Sequence, residues 1–104
     1  MVNTSQIGIK IQSSDIPEDY NLLQNFPNPF NPLTEIQFTL LRESHAVLTL
    51  LDIMGREIGV LVDKNLQVGK YIYNWKADNF PSGTYFYRLQ AGAFKQTKKL
   101  ILMK

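Results

Sequence analysis

Few side chains in this sequence carry groups that do chemistry, and they do not converge on a reaction. The chain has one histidine and no cysteine, so His45, next to Ser44, is the one side chain whose ordinary titration falls near neutral pH. A Ser/His/Asp set can be written from Ser44 or Ser82 with His45 and Asp52. Neither serine, however, stands in a nucleophile elbow or beside an oxyanion-forming glycine cluster. A hard cation needs several oxygen ligands close together, and Asp63-Lys64-Asn65 or Asp78-Asn79 supplies only two side-chain ligands each. Gly55 and Gly59 are the closest pair among the six glycines, and they lack the Lys-Ser/Thr and helix that complete a phosphate cradle. The expectation is a protein without catalytic, metal or cofactor residues.

Two other chemistries are weighed against packing. Trp75 with Tyr71, Tyr73, Tyr85, Phe86 and Tyr87 could form a sugar-stacking platform or the core of a small domain, and aromatic residues at 12% suffice for the core. The net charge of +2 is too small to advertise nucleic acid, but it is unevenly spread. All nine acids lie at or before Asp78, while Arg88, Lys95, Lys98, Lys99 and Lys104 are the charges that follow Thr84. Lysines commonly protect strand edges from aggregation; the same basic end could dock an acidic partner.

The elements that position these residues read as strands and turns. Strand signals recur every ~10–14 residues with turn residues between them, the spacing of an all-β sandwich. In 35–40, Ile36, Phe38 and Leu40 share one face and Glu35, Gln37 and Thr39 the other. Residues 46–53 are nearly continuously apolar and suit a central strand with Ala46, Leu48 and Leu50 inward, leading through Asp52 to a turn at Met54-Gly55-Arg56. Residues 57–62 return as a short strand, in which Gly59 suggests a bulge. Asp63-Lys64-Asn65 opens a loop closed by Gly69, after which Tyr71, Tyr73 and Trp75 share a parity, with Trp75 expected at the core centre. Asp78-Asn79-Phe80-Pro81-Ser82-Gly83 is a dense turn cluster. Tyr85, Tyr87 and Leu89 then oppose Phe86, Arg88 and Gln90. Ala91-Gly92-Ala93 turns into a closing strand, 94–103, where Leu100, Ile101 and Leu102 are apolar on both parities.

With 104 residues and 44% hydrophobic content, one small core is expected. Residues 1–19 are polar and read as a flexible linker, with room for one opportunistic strand because Ile7, Ile9 and Ile11 alternate. Residues 20–104 form the domain, beginning with an edge strand at 20–25 that ends at the prolines. No apolar stretch reaches the ~18–20 residues of a spanning helix, so no membrane insertion is expected. The first residues lack a basic start followed by an apolar core. As given, the chain is therefore either cytosolic or the tail of a longer exported precursor.

Against this frame stands the run Asn25-Phe26-Pro27-Asn28-Pro29-Phe30-Asn31-Pro32, a stiff, non-helical lead-in, since each proline fixes its own φ and biases the residue before it. With Thr34 it forms the first of five motifs. The others are Asp52-Ile53-Met54-Gly55-Arg56-Glu57, Val68-Gly69-Lys70-Tyr71 leading to Trp75, Ser82-Gly83-Thr84-Tyr85-Phe86-Tyr87-Arg88, and Lys98-Lys99-Leu100-Ile101-Leu102-Met103-Lys104. Together, over about residues 23–104, they resemble the type IX secretion system C-terminal sorting domain, type A, related in pattern to the immunoglobulin-like domain of flagellar hook-capping proteins. Leu41, where proline is frequent, Leu51, where an aromatic is usual, and Gly59 depart from the pattern.

The resemblance implies an immunoglobulin-like antiparallel sandwich of Greek-key type with about seven strands, and a non-catalytic address for an N-terminal cargo. A signal peptide would take such a precursor to the periplasm, an outer-membrane translocon would read the folded domain, and a sortase-like peptidase would remove it at the surface, with the cut expected within 12–21. Residues expected to carry the signal are Pro27, Asn28 and Pro29 for the geometry of the lead-in, Gly55, Gly69 and Gly83 for turns, Tyr85 within its motif, and Lys98, Lys99 and Lys104 for contact. The competing readings are an accessory carbohydrate-binding or adhesive sandwich and a hook-capping-like assembly module. Strand edges also leave room for self-association.

Overall fold

The computed structural model describes residues 9–13 and 19–104. Alternation produces the strands almost residue by residue. In β3 (Leu33–Leu40), Thr34, Ile36, Phe38 and Leu40 are buried while Leu33 and Glu35 face water. In β4 (Ser44–Leu51), Ala46, Leu48 and Leu50 are fully buried, and Thr49 and Leu51 are also covered on the opposite face. That two-sided burial is what a central strand requires. In β7 (Gly83–Ala91), Tyr85, Tyr87, Leu89 and Ala91 point inward; in β8 (Phe94–Leu102), Leu100 and Leu102 do so and Ile101 is half-buried.

The remaining strands are β1 (Ile9–Ser13), β2 (Asn21–Leu22), β5 (Glu57–Leu66) and β6 (Gly69–Lys76). One sheet has the order β1-β6-β3-β2 and the other β5-β4-β7-β8, and every pairing between these strands is antiparallel. Seven strands, β2 to β8, make the sandwich. Their distribution is that of an immunoglobulin constant domain with one change: the fourth strand stays beside the third instead of joining the other sheet. The tight connection between Asp52 and Arg56 accounts for this, because it returns β5 directly along β4. β1 is the strand for which the polar lead-in left room; the linker reading of 1–8 and 14–18 lies outside the described residues.

Two expectations are corrected. Asp63-Lys64-Asn65 is not a loop: β5 runs on to Leu66, with Asp63, Lys64 and Asn65 opposite Val47, Ala46 and His45. An edge strand needs apolar side chains on one face only, and charged residues keep its rim from pairing with other chains, so polarity here marks an edge, not a turn. Gly59 does sit beside irregular pairing. The register slips between Leu48 and Thr49 and again between Leu50 and Leu51, leaving Leu61 and Ile58 as extra residues on β5. Trp75 is buried but does not occupy the centre. It stands opposite Thr34 at one end of the sandwich, with the rings of Phe30 at 5.6 Å and Phe80 at 5.5 Å, while Tyr87 is the largest fully buried side chain.

Trp75→Ala would leave Phe30 and Phe80 without their common partner. The expected loss is on the order of 3–5 kcal/mol in urea unfolding, most of the stability of a domain this size.

Candidate functional site

Asn25 organises the proline-rich run, and the sequence reading did not single it out. Its side chain is 2% exposed. The amide nitrogen donates to the Pro27 carbonyl at 3.1 Å and to Thr34 Oγ1 at 3.0 Å, and Thr34 Oγ1 donates to the same carbonyl at 2.9 Å. Phe26 and Glu35 exchange backbone bonds of 3.0 and 2.9 Å. The loop therefore grips the start of β3 before it turns. The Phe26-Pro27, Asn28-Pro29 and Asn31-Pro32 peptide bonds are cis, and Pro27, Asn28 and Pro29 are exposed.

The same loop is fastened to the last strand. Gln24 Nε2 donates to the Lys99 carbonyl at 2.6 Å, and the Ile101 N–H donates to Asn28 Oδ1 at 2.9 Å. Phe30 N–H donates to the Ile101 carbonyl at 3.0 Å, and Met103 N–H to the Phe30 carbonyl at 2.9 Å. Phe30 itself is 2% exposed and makes a parallel bridge to Leu102. Two segments that open and close the motif pattern thus form one surface, in which the loop covers the outer edge of β8 from Lys99 to Met103.

Tyr87 links this surface to the core. Its hydroxyl donates to the Leu23 carbonyl at 2.7 Å and accepts the Asn25 N–H at 2.8 Å, so one buried side chain satisfies two main-chain groups of the segment entering the loop. Burial pushes the phenol up to about 12, although the bond to Asn25 works in the opposite direction. An inward parity was readable for Tyr87; that its hydroxyl needs a buried partner follows from side-chain chemistry, but the partner sixty-two residues away carries no sequence signal.

The predicted turn residues fall into two groups. Gly55 has φ 83°, a conformation open to glycine, in a hairpin whose ends are tied by Asp52 N–H to the Arg56 carbonyl at 2.9 Å. Asp52 Oδ1 accepts the N–H groups of Met54 and Arg56, both at 2.9 Å. The Arg56 backbone bond, with further help from its guanidinium and from Met54 N–H, holds the Asp52 carboxyl below its usual range. Gly69 and Gly83 open β6 and β7 in the same way. Two residues after each stands a tyrosine whose hydroxyl donates to the carbonyl four residues upstream: Tyr71 to Gln67 at 2.8 Å, Tyr85 to Pro81 at 2.6 Å. These are two tyrosine corners, the arrangement that closes the start of the sixth strand in immunoglobulin-like domains. The repeated spacing Gly-x-Tyr was visible in the sequence.

Pro27, Asn28, Pro29, Gly55, Gly83, Tyr85 and Lys104 all lie toward the Trp75 end of the sandwich, whereas Gly69 starts β6 opposite Leu40, at the other end. The lysines are not one patch. Lys104 is docked, its Nζ donating to the Asp78 carbonyl at 2.6 Å and its N–H to Ser82 Oγ at 3.0 Å. Lys98 is half-buried and Lys99 exposed, on opposite faces of β8.

The residues weighed for catalysis are spoken for structurally. His45 places Nε2 at 2.5 Å from Asp63 Oδ1 and Nδ1 at 2.7 Å from Asn65 Oδ1. Its pKa is raised, chiefly by the bond to Asp63. Ser44 Oγ donates to the Arg42 carbonyl at 2.9 Å, and Asp52 belongs to the hairpin. Among the described residues, no three of His, Cys, Asp and Glu group as metal ligands. Of the aromatic platform considered for sugars, Tyr71, Trp75, Tyr85 and Tyr87 are buried in the core, and Tyr73 and Phe86 are half-buried.

Tyr87→Phe should cost about 1–3 kcal/mol in urea unfolding, because it leaves the buried Asn25 N–H and the part-buried Leu23 carbonyl without their partner. The wild-type domain should also lose stability as pH rises from about 10 to about 12. In that window the unfolded phenol has released its proton while the folded one, raised to about 12, still holds it. Unfolding curves across that range should show this slope, reduced in the phenylalanine variant.

Comparison with known proteins gives a family match. The family model described as the secretion system C-terminal sorting domain covers residues 24–103. No curated protein and no solved structure shows a matching similarity. The match starts at Gln24, where the loop is first tied to β8, and ends at Met103, which makes the last backbone bond to Phe30. With most of its length matched, the chain belongs to the type IX secretion C-terminal sorting domain family.

Proposed function

We propose that residues 20–104 act as a folded, non-catalytic address whose readable face is the composite of the proline-rich loop and β8. Family membership makes the chain a secretion sorting signal, of a protein exported to the cell surface or beyond the cell. In this reading an N-terminal cargo passes through the periplasm, the outer-membrane translocon engages the composite face, and a sortase-like peptidase cuts within 12–21.

One observation carries the proposal. The loop caps β8 only from Lys99 onward, and among the described residues no strand pairs with the outer edge of the preceding part of β8. That stretch presents Lys95 and Lys98, with Lys99 where the cap begins, and no acidic partner holds any of the three among the described residues. Open main-chain groups bordered by cations suit an extended acidic segment added as a further strand. Lys104 contributes by pinning the chain end to the Asp78 turn. Pro27, Asn28, Pro29, Gly55, Gly69, Gly83 and Tyr85 contribute by holding shape.

Removing the last residues would not test this, because Leu100 and Leu102 are core and Ile101 anchors the loop; the truncated domain should simply unfold. Substituting Lys95→Glu, Lys98→Gln and Lys99→Glu together leaves those contacts in place. With residues 20–104 fused behind an exported reporter in a bacterium that has this secretion system, the triple variant should lower surface reporter roughly tenfold, equivalent to ~1.4 kcal/mol of lost contact. Its thermal unfolding should stay within a few degrees of wild type. Unchanged export by a folded triple variant would remove the lysine-lined edge from the reading.

A further inference from the structure

We propose that the outer edge of β6 is a strand-binding site, and that Ile9–Ser13 occupies it by recognition, so a chain cut between β1 and β2 stays assembled until that strand peels away. The functional consequence rests on the reading that the natural cut falls within 12–21: cutting and cargo release would then be separate events.

The topology makes the case. Strands joined by a hairpin lie side by side because the turn puts them there. β1 and β2 do not: in the order β1-β6-β3-β2 they occupy opposite edges of the sheet, about three strand spacings or ~14 Å apart. The partner of β1 is instead β6, some sixty residues further along, with Ile9 opposite Tyr73, Lys10 opposite Ile72 and Ile11 opposite Tyr71. No local turn enforces this register. It is selected by the edge itself.

β6 offers that edge in finished form. Its other side is paired with β3 along its whole length, from Leu33 opposite Lys76 to Leu40 opposite Gly69, so the strand is held straight and its outward main-chain groups are aligned before β1 arrives. Ile9 adds side-chain contact, being partly buried against the core, as is Tyr73 opposite it. The chemistry recognised is an extended segment with apolar residues at alternate positions, the mode of strand addition. The slip between Ile11 and Ser13 ends regular pairing just where the chain must leave for the other edge. A strand of five residues makes few ladder bonds, so its hold is reversible and a competing extended segment can displace it.

The test uses the full chain with a fluorescent protein fused before Met1 and a specific protease site inserted between Ser14 and Asp15. After complete cutting, judged on a denaturing gel, both pieces should elute together in native size-exclusion chromatography at micromolar concentration, with Trp75 emission unchanged. Excess synthetic peptide of residues 7–14 should displace the fluorescent piece. A Lys10→Pro/Ile11→Pro chain, which removes ladder donors whichever way the strand faces, should fall apart on cutting. Separation of the wild-type pieces while the domain stays folded would overturn the proposal, as would loss of folded emission on cutting or equal co-elution of the proline variant. Because the cut is engineered, the result does not depend on the natural site. Mass spectrometry of exported cargo tests that separately: a terminus outside 12–21 would sink the cleavage reading and leave the strand site standing.

Discussion

The hydroxyl of Tyr87 is the point on which the domain turns. It lies on the inward face of a central strand, where no water reaches it, and it takes up one acceptor and one donor from the chain between β2 and the proline-rich loop. A buried polar group must be satisfied or the desolvation cost is carried in full. Here the satisfaction is mutual: the strand needs the loop segment as much as the loop segment needs the strand. Asn25 extends the same logic outward, spending its side chain on Pro27 and Thr34. A loop of exposed prolines is thereby held in one shape from below, with little hydrophobic contact of its own except Phe30.

That arrangement ties the beginning of the motif pattern to its end. Phe30 fills the core beside Trp75 and bridges to Leu102, while Asn28 and Gln24 reach the main chain of β8. The contacts to β8 exist only once that strand is in place. A sandwich whose pairings are almost all non-local forms its loops only after large entropic closures. The composite face is thus a property of the completed fold, which suits a label read as a folded shape.

Much of the fold was legible because burial on one face imposes a period of two. Ile36, Phe38 and Leu40, or Tyr85, Tyr87 and Leu89, declare their strand and its inward side without any tertiary knowledge. Most of what failed to read correctly did so because polarity has two causes. Asp63, Lys64 and Asn65 are polar because they lie on a sheet edge, yet the same residues in a turn would look identical. Asn25 and Thr34 are polar and buried, a combination with no periodic signature. Trp75 shares its parity with Tyr71 and Tyr73, which marks it as inward without saying where along the strand it lies; the register with Thr34 sets it at the end where Phe30 and Phe80 close over it. The candidate surface was legible as a set of motifs; that the first and last of them touch was not, because the contacts run through main-chain groups, which every residue shares.

The basic edge of β8 shows how one set of side chains can meet two opposed demands. An open strand edge invites pairing with any other, including its own copy. Two copies meeting antiparallel along 95–99 would set Lys95 of each against Lys99 of the other, and like charges facing across a ladder destabilise it. An extended segment carrying carboxylates meets no such penalty and gains complementary charge at each step. The loop, by covering 99–103, shortens the open stretch so that fewer main-chain groups are available to an indiscriminate partner and charge weighs more in the choice. In the proposed reading, protection of the edge and selectivity toward an acidic strand would both follow from the same three cations, as parts of a single device.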